Sequence, residues 1–211
     1  MLLKENTMKT DLETRERLLV NAKTEFIEKG YLQASLRNIC KNAQVTTGAL
    51  YFFFENKEDL FSSLVEVPLK ELQGIIRQYF DRERAQIDGY IREKNGYAVH
   101  YEIAKEVLHC LYQNYDAFFL LVTRSQGSRF EHFTDEIVEM MEKHYRTMAD
   151  EIALQRESVR LDDYMIHWLT HTKVDFYIHM ITHEKSEQMA VKHMESIIKC
   201  MAAGWNELLK G

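Results

Sequence analysis

The chain has little with which to turn. Its 211 residues include one proline, Pro68, and eight glycines. Strand-rich folds use such residues at their turns, so the scarcity argues against a sandwich or barrel and favours long helices with few connections. Long apolar runs are also missing. The best, 117–122, falls far short of a membrane span. The first residues, MLLKENTMKTDLE, hold no long apolar core and no small-residue cleavage site, so neither a signal peptide nor a membrane partner is expected. Three scattered cysteines, Cys40, Cys110 and Cys200, do not make a disulfide framework and suit a reduced, cytoplasmic chain. A Gly-rich phosphate loop, an H-E-x-x-H pair, a nucleophile elbow and a cysteine nucleophile context are all absent, so no enzyme and no cofactor is expected.

Excess positive charge is lacking as well. The formal net charge is −6. Residues 1–62 are neutral, with nine Lys+Arg against nine Asp+Glu, and residues 63–211 hold the whole imbalance, 18 against 24. That excludes a generic polyanion binder. Within 30–57, however, Arg37, Lys41 and Lys57 face Glu55 alone. Such a modest basic patch can meet phosphates, with a limited salt-dependent term.

What is present is helical periodicity. A stripe of Leu12, Arg15, Leu18, Leu19, Ala22, Phe26 and Ile27 predicts a helix starting at Thr10 or Thr14, with residues 1–9 as a tail. Gly30 fits the left-handed position past its end. Ser35 caps a short helix over 36–42, and Thr46 caps a second over 47–53. The three or four residues between them give the spacing of a helix-turn-helix, which sets its second helix in the major groove of DNA. Asn56 caps a fourth helix over 57–84, bent near Pro68, with Glu58 and Asp59 suiting the positive end of its dipole. A loop is expected within 81–96, followed by helices at 97–114, 116–125, 129–157, 162–184 and 187–209. The fold class is therefore all-α: an N-terminal domain with the helix-turn-helix over 1–56 and a larger helical domain over 57–211, which the family resemblance of residues 15–64 makes a DNA-binding domain and a regulatory and dimerisation domain.

Residues 15–64 resemble the N-terminal DNA-binding domain of the TetR family of transcriptional regulators. The resemblance rests on Phe26, Gly30-Tyr31, Ser35, Arg37, Ile39, Val45, Gly48, Leu50-Tyr51, Phe54 and Asn56-Lys57-Glu58, in order and without gaps. It covers about a quarter of the chain. It implies a homodimer on a palindromic operator in double-stranded DNA, acting as a repressor that a small-molecule effector in the C-terminal domain releases. A ligand-independent DNA-bridging protein of the same fold is the alternative.

On this resemblance Thr46, Thr47, Tyr51, Phe52 and Phe53 fall on or beside the reading helix. Thr hydroxyls can bond bases or phosphates, and Thr methyls and aromatic edges can touch a thymine methyl. Gly48 lets the backbone approach closely. Tyr51 and Lys57 are candidate phosphate contacts, Arg37 reaches toward the groove edge, and Ser35 is first a cap and then a phosphate donor. Phe52 reads equally as a groove contact or as partly buried core. Leu36, Ile39, Val45, Leu50 and Phe54 read as core.

In the remainder, Asp163, His167, His171, Asp175, His179 and His183 recur every four residues. Each step of four overshoots a turn by about 40°, so only neighbouring pairs can act together. A metal-responsive regulator using His167, His171, His179 and His183 is a further alternative, and a solvated polar seam is the plainer reading. Tyr101, His109, Phe118, Phe119, Tyr145, Trp168 and Phe176 are candidates to line an effector cavity, though each taken alone reads first as core. Arg124 or Arg129 is a candidate anion anchor. Met194, Ile197, Met201, Trp205 and Leu208 form an apolar stripe suited to a four-helix dimer interface.

The segment 46–54 contains no Lys, Arg, Asn or Gln, the residues that make the strong bidentate guanine and adenine contacts. Readout should therefore lean on thymine methyls and backbone. Selection from random DNA should return A·T-rich half-sites; GC-rich half-sites would contradict this reading.

Overall fold

The structure, a computed structural model, describes the backbone of residues 2–85 and 97–208, and side chains over 10–85, 101–204 and at 207. The loop expected within 81–96 lies, from residue 86 on, outside the described residues. Among those described there are nine helices: α1 (Leu2–Gln33), α2 (Leu36–Asn42), α3 (Thr47–Phe53), α4 (Lys57–Ala85), α5 (Tyr97–Gln113), α6 (Tyr115–Arg124), α7 (Phe133–Arg156), α8 (Asp163–His183) and α9 (Glu187–Leu208). By packing they form two compact units, Met1–Leu69 with Asp116–His132, and Lys70–Tyr115 with Phe133–Gly211. Helix α4 runs on through Pro68, and the division falls just past that proline.

In the first unit, Leu18, Ala22 and Phe26 of α1 are fully buried. The helix starts at Leu2, upstream of the expected Thr10 or Thr14 and within the stretch read as a tail. Its stripe is covered only from Leu18 on: Leu12 is 64% exposed, and Arg15 is exposed with its guanidinium 5.4 Å from the Phe54 ring centre.

Gly30 interrupts α1. Its φ of 74° is positive as expected, but ψ is 163°, outside the left-handed helical region and in one that essentially only glycine occupies. A last turn then follows to Gln33. The break brings the Tyr31 ring alongside Phe26, with centroids 6.1 Å apart and planes within 13°. Both rings meet Phe61 of α4 edge-on, at 5.0 and 5.3 Å. Aromatic pairs of this kind add about 0.5–1.5 kcal/mol each beyond their buried area.

The segment 116–132 closes over this region. Arg124 Nε donates to the Ile27 carbonyl at 2.8 Å, and Lys23 pairs with Asp116 at 2.6 Å. Tyr31 donates its hydroxyl proton to Glu58 Oε2 at 2.8 Å, and the Arg129 backbone N–H points at the same carboxylate at 3.3 and 3.4 Å. Burial, and then Glu58, push the Tyr31 phenol up to about 12. Helix α7 begins at Phe133 and not at the expected 129. Gly127 turns the chain at φ 85°. Ser128 then donates to the Ser125 carbonyl at 2.7 Å and accepts from the Phe130 N–H at 3.1 Å, a local arrangement that competes with helix.

The turn between α2 and α3 is a Schellman cap. Val45 N–H bonds the Cys40 carbonyl at 3.0 Å and Gln44 N–H bonds the Lys41 carbonyl at 3.2 Å. Gln44 holds the left-handed position, φ 56°, that glycine usually fills.

In the second unit α9 packs on α5, α7 on α8, and α5 on α8. Tyr112 donates to the Glu184 carbonyl at 2.7 Å and Tyr115 to the Ile181 carbonyl at 2.9 Å, holding the end of α8. Arg146 donates to the Leu161 carbonyl at 2.7 Å and pairs with Asp163 at 2.8 Å, fixing the connection from α7 to α8.

Two substitutions test the backbone argument in opposite directions. Gly30→Ala has room for its methyl, since its nearest neighbours lie 3.8 Å and more away, yet should lose about 1–3 kcal/mol from conformation alone. Gln44→Gly removes a strained left-handed residue and should leave stability unchanged or raise it by up to about 1 kcal/mol. Urea unfolding of both variants reads the two signs.

Candidate DNA interface

The unit formed by α2 and α3 is built from its caps. Ser35 Oγ accepts from the Asn38 N–H at 3.5 Å, Thr46 Oγ1 from the Ala49 N–H at 3.1 Å, and Asn56 Oδ1 from the Asp59 N–H at 2.9 Å. One further support left no signal in the sequence. Glu25 of α1 is buried, and its Oε1 accepts from the Ser35 N–H at 3.1 Å and from Asn38 Nδ2 at 3.4 Å. A carboxylate thus sits at the positive end of α2 and fixes its start. Charged residues on a surface stripe of α1 read as solvated, so nothing in the spacing singled Glu25 out.

Helix α3 divides cleanly. Leu50 is buried within it, and Phe54, its C-cap, is buried as well. Thr47, Gly48, Tyr51 and Phe52 are exposed on the opposite arc, at i, i+1, i+4 and i+5. Tyr51 is 56% exposed and Phe52 73%. Phe53 is half-buried and meets Phe52 edge-on at 4.9 Å. Of the two readings of Phe52, burial is thereby removed.

Gly48 has no structural reason to be glycine. It is the second residue of α3, without a positive φ, and a methyl there would meet only Thr46 Oγ1, at 3.8 Å. Glycine in a helix costs up to about 1 kcal/mol relative to alanine.

The basic groups are not equivalent. Arg37 and Lys41 on α2 are exposed. Lys57 is half-buried: its ammonium donates to the Leu32 carbonyl at 3.1 Å and lies 4.8 Å from the Tyr31 ring centre. Burial lowers its pKa, partly offset by the Glu25 carboxylate. Lys57 therefore braces the end of α1 as well as standing near the reading helix.

The residues named for an effector cavity are divided between the two units. Phe118 and Phe119 belong to the first unit, Phe118 fully buried and Phe119 half-buried. Tyr101, His109, Tyr145, Trp168 and Phe176 belong to the second. There His109 is exposed and bonded to Glu187 and Gln113, and Trp168 is exposed too. Arg124 and Arg129 are engaged with Ile27 and Glu66. On α9, Met194 is 3% exposed and packs inside its own chain with Ala190 and Ile198, so its side chain is core and not an interface. Ile197 and Met201 are half-buried, and the side chains of Trp205 and Leu208 lie outside the described residues.

The histidine ladder breaks into pairs, as the helical drift requires. His167 and His171 rings lie 4.4 Å apart and His179 and His183 4.2 Å apart. His167 bonds Glu142, and Asp163 pairs with Arg146 and Arg160. Among the described residues no group of three or more His, Cys, Asp or Glu side chains is placed to hold a metal ion.

Comparison with known proteins agrees with this geometry. Residues 18–64 match the family described as bacterial regulatory proteins, tetR family. The HTH-type transcriptional repressor BepR of Brucella suis biovar 1 (strain 1330) is 47% identical over 53 residues, 25% of this chain and 25% of that protein. The probable acrEF/envCD operon repressor of Escherichia coli (strain K12) is 40% identical over 63 residues, 29% of each. The chain thus aligns with roughly a quarter to a third of the length of these relatives. The fold extends further. A transcriptional regulator of Aquifex aeolicus VF5 superposes with a TM-score of 0.57 at 20% identity, over 89% of this chain and 99% of that one. Over residues 18–64 the chain thus resembles the tetR family of bacterial regulatory proteins, and its all-helical fold is shared with a solved transcriptional regulator.

Proposed function

We propose that the protein is a cytoplasmic, homodimeric transcriptional repressor that binds a palindromic operator and is released by a small-molecule effector. Residues 1–56 form its reading head and 57–211 its regulatory and dimerisation part. The observation that carries this reading is the outward arc of α3. Thr47, Gly48, Tyr51 and Phe52 are exposed together on a short helix capped by Thr46, between neighbouring helices held by Ser35, Asn56 and the buried Glu25 carboxylate, and Gly48 weakens that helix without serving its packing. A surface that gives up stability for close approach is one shaped for a partner. Two relatives matched over this segment are named as repressors, which supports repression over activation.

A helix-turn-helix reading a two-fold site needs two copies. The half-buried Ile197 and Met201 on α9 and the exposed Tyr164 and Trp168 on α8 are the surfaces we assign to the second copy. An effector bound in the second unit has two continuous routes to the head. Helix α4 passes from one unit into the other, and 116–132 is a loan from the middle of the chain to the first unit.

Footprinting on selected DNA tests the whole reading. A palindromic footprint is expected, with log K falling against log salt at a slope of about −2 per protomer if Arg37 and Lys41 meet phosphate. Long, cooperative coverage without two-fold symmetry would instead favour the DNA-bridging alternative. Gly48→Ala separates fold from function. It should raise the thermal midpoint slightly while weakening operator binding at least tenfold. Unchanged affinity would remove Gly48 from the interface.

A further inference from the structure

The second unit encloses a polar cluster that the sequence did not announce, contributed by α4, α7 and α8. Glu83 is buried, and both of its oxygens are engaged: Oε1 accepts from the Tyr79 hydroxyl and Oε2 lies 2.7 Å from His144 Nε2. The His144 ring is buried in turn and stacks on Phe80, with centroids 3.9 Å apart and planes within 12°. Beside this pair stands Lys173 of α8. Its ammonium meets the Tyr145 hydroxyl and lies 4.3 Å from the centre of that ring. One turn further along α8, burial raises the Tyr177 phenol.

The hydrogen-bond count is uneven. An ammonium has three N–H donors, and the described structure gives that of Lys173 one acceptor. The Glu83 carboxylate acts on Lys173 as an opposite charge, and its oxygens already serve Tyr79 and His144. Burial holds Lys173 below the ordinary lysine range, with Glu83 opposing that shift. The Lys173 side chain is half-buried, and a partly desolvated charge with unfilled donors carries a cost that an acceptor of opposite charge lowers. A cationic guest would find the reverse, a carboxylate already occupied and a lysine that repels it.

We propose that Lys173, with the Tyr145 hydroxyl, is the polar end of the effector site, and that the effector is a carboxylic acid bound as its anion with an apolar body among the aromatic side chains. This rests on the ligand-responsive reading above, and adds the chemical class. The Glu83–His144 pair is then the fixed support that keeps Phe80 and Tyr145 in position, and Lys173 is the group that selects.

The test needs no DNA. Octanoate, decanoate and benzoate are titrated into the full chain by calorimetry against octanol, decanol, benzyl alcohol and decylammonium. At least one acid should bind ten-fold or more tightly than its alcohol, Lys173→Arg should keep that preference, and Lys173→Met should abolish it. Alcohols binding as well as acids, preference for decylammonium, or binding by none of the acids would overturn the proposal. Should Lys173→Met fail to fold by circular dichroism, the acid-to-alcohol ratio of the unaltered chain decides. Operator binding is measured separately. A chain that prefers acids but ignores DNA would sink the regulator reading alone, and one that binds DNA without preferring acids would sink only this inference.

Discussion

The head of this protein depends on one interruption. At Gly30 the first helix stops being a helix for a single residue, in a backbone region that side chains shun. Everything that orients α2 and α3 follows from where the chain goes next. Tyr31 swings beside Phe26 and against Phe61, its hydroxyl reaches Glu58, and Lys57 closes on the Leu32 carbonyl. Glu25, one turn upstream of the break, is then placed to hold the start of α2. Remove the break and α1 continues straight, and the carboxylate and the ring that define the head lose their partners.

Rigidity and recognition are thereby kept on different residues. The groups that fix the head are buried or bonded: Leu50, Phe54, Phe61, Glu25, Glu58. Those proposed to meet a partner, Thr47, Gly48, Tyr51 and Phe52, share one exposed arc and carry little of the fold. The second unit repeats the division inside its interior, where Glu83, His144 and Phe80 are mutually satisfied and Lys173 is not. In both units the functional candidate is the group that packing alone does not explain.

Much of the first unit was legible in the sequence because its signals are local. Caps, helix lengths and the turn between α2 and α3 act over three to five residues, and Ser35, Thr46 and Asn56 do what their side chains dictate. What could not be read acts over distance. Glu25 is ten residues from Ser35, and Arg124 is 97 from Ile27. Periodicity extended α1's buried stripe to Leu12, yet nothing covers that turn. It also gave the interface Met194, because an apolar stripe has the same period whether it faces its own chain or another. The polar cluster on α4, α7 and α8 was missed for a similar reason: Glu83, His144 and Lys173 lie on three helices, and each alone looks like an ordinary surface charge. Tyr145, named for its ring, was the one member in view.

Gly48, Tyr51 and Phe52 have a consequence beyond binding. Because they contribute so little to holding the head together, changes there are nearly free of folding cost. If that arc reads DNA as proposed, its target can change while Gly30, Glu25 and Phe61 stay put. The surface that sets the target is then the part of this domain least constrained by folding, and two proteins with matching scaffolds need share no binding site on the chromosome.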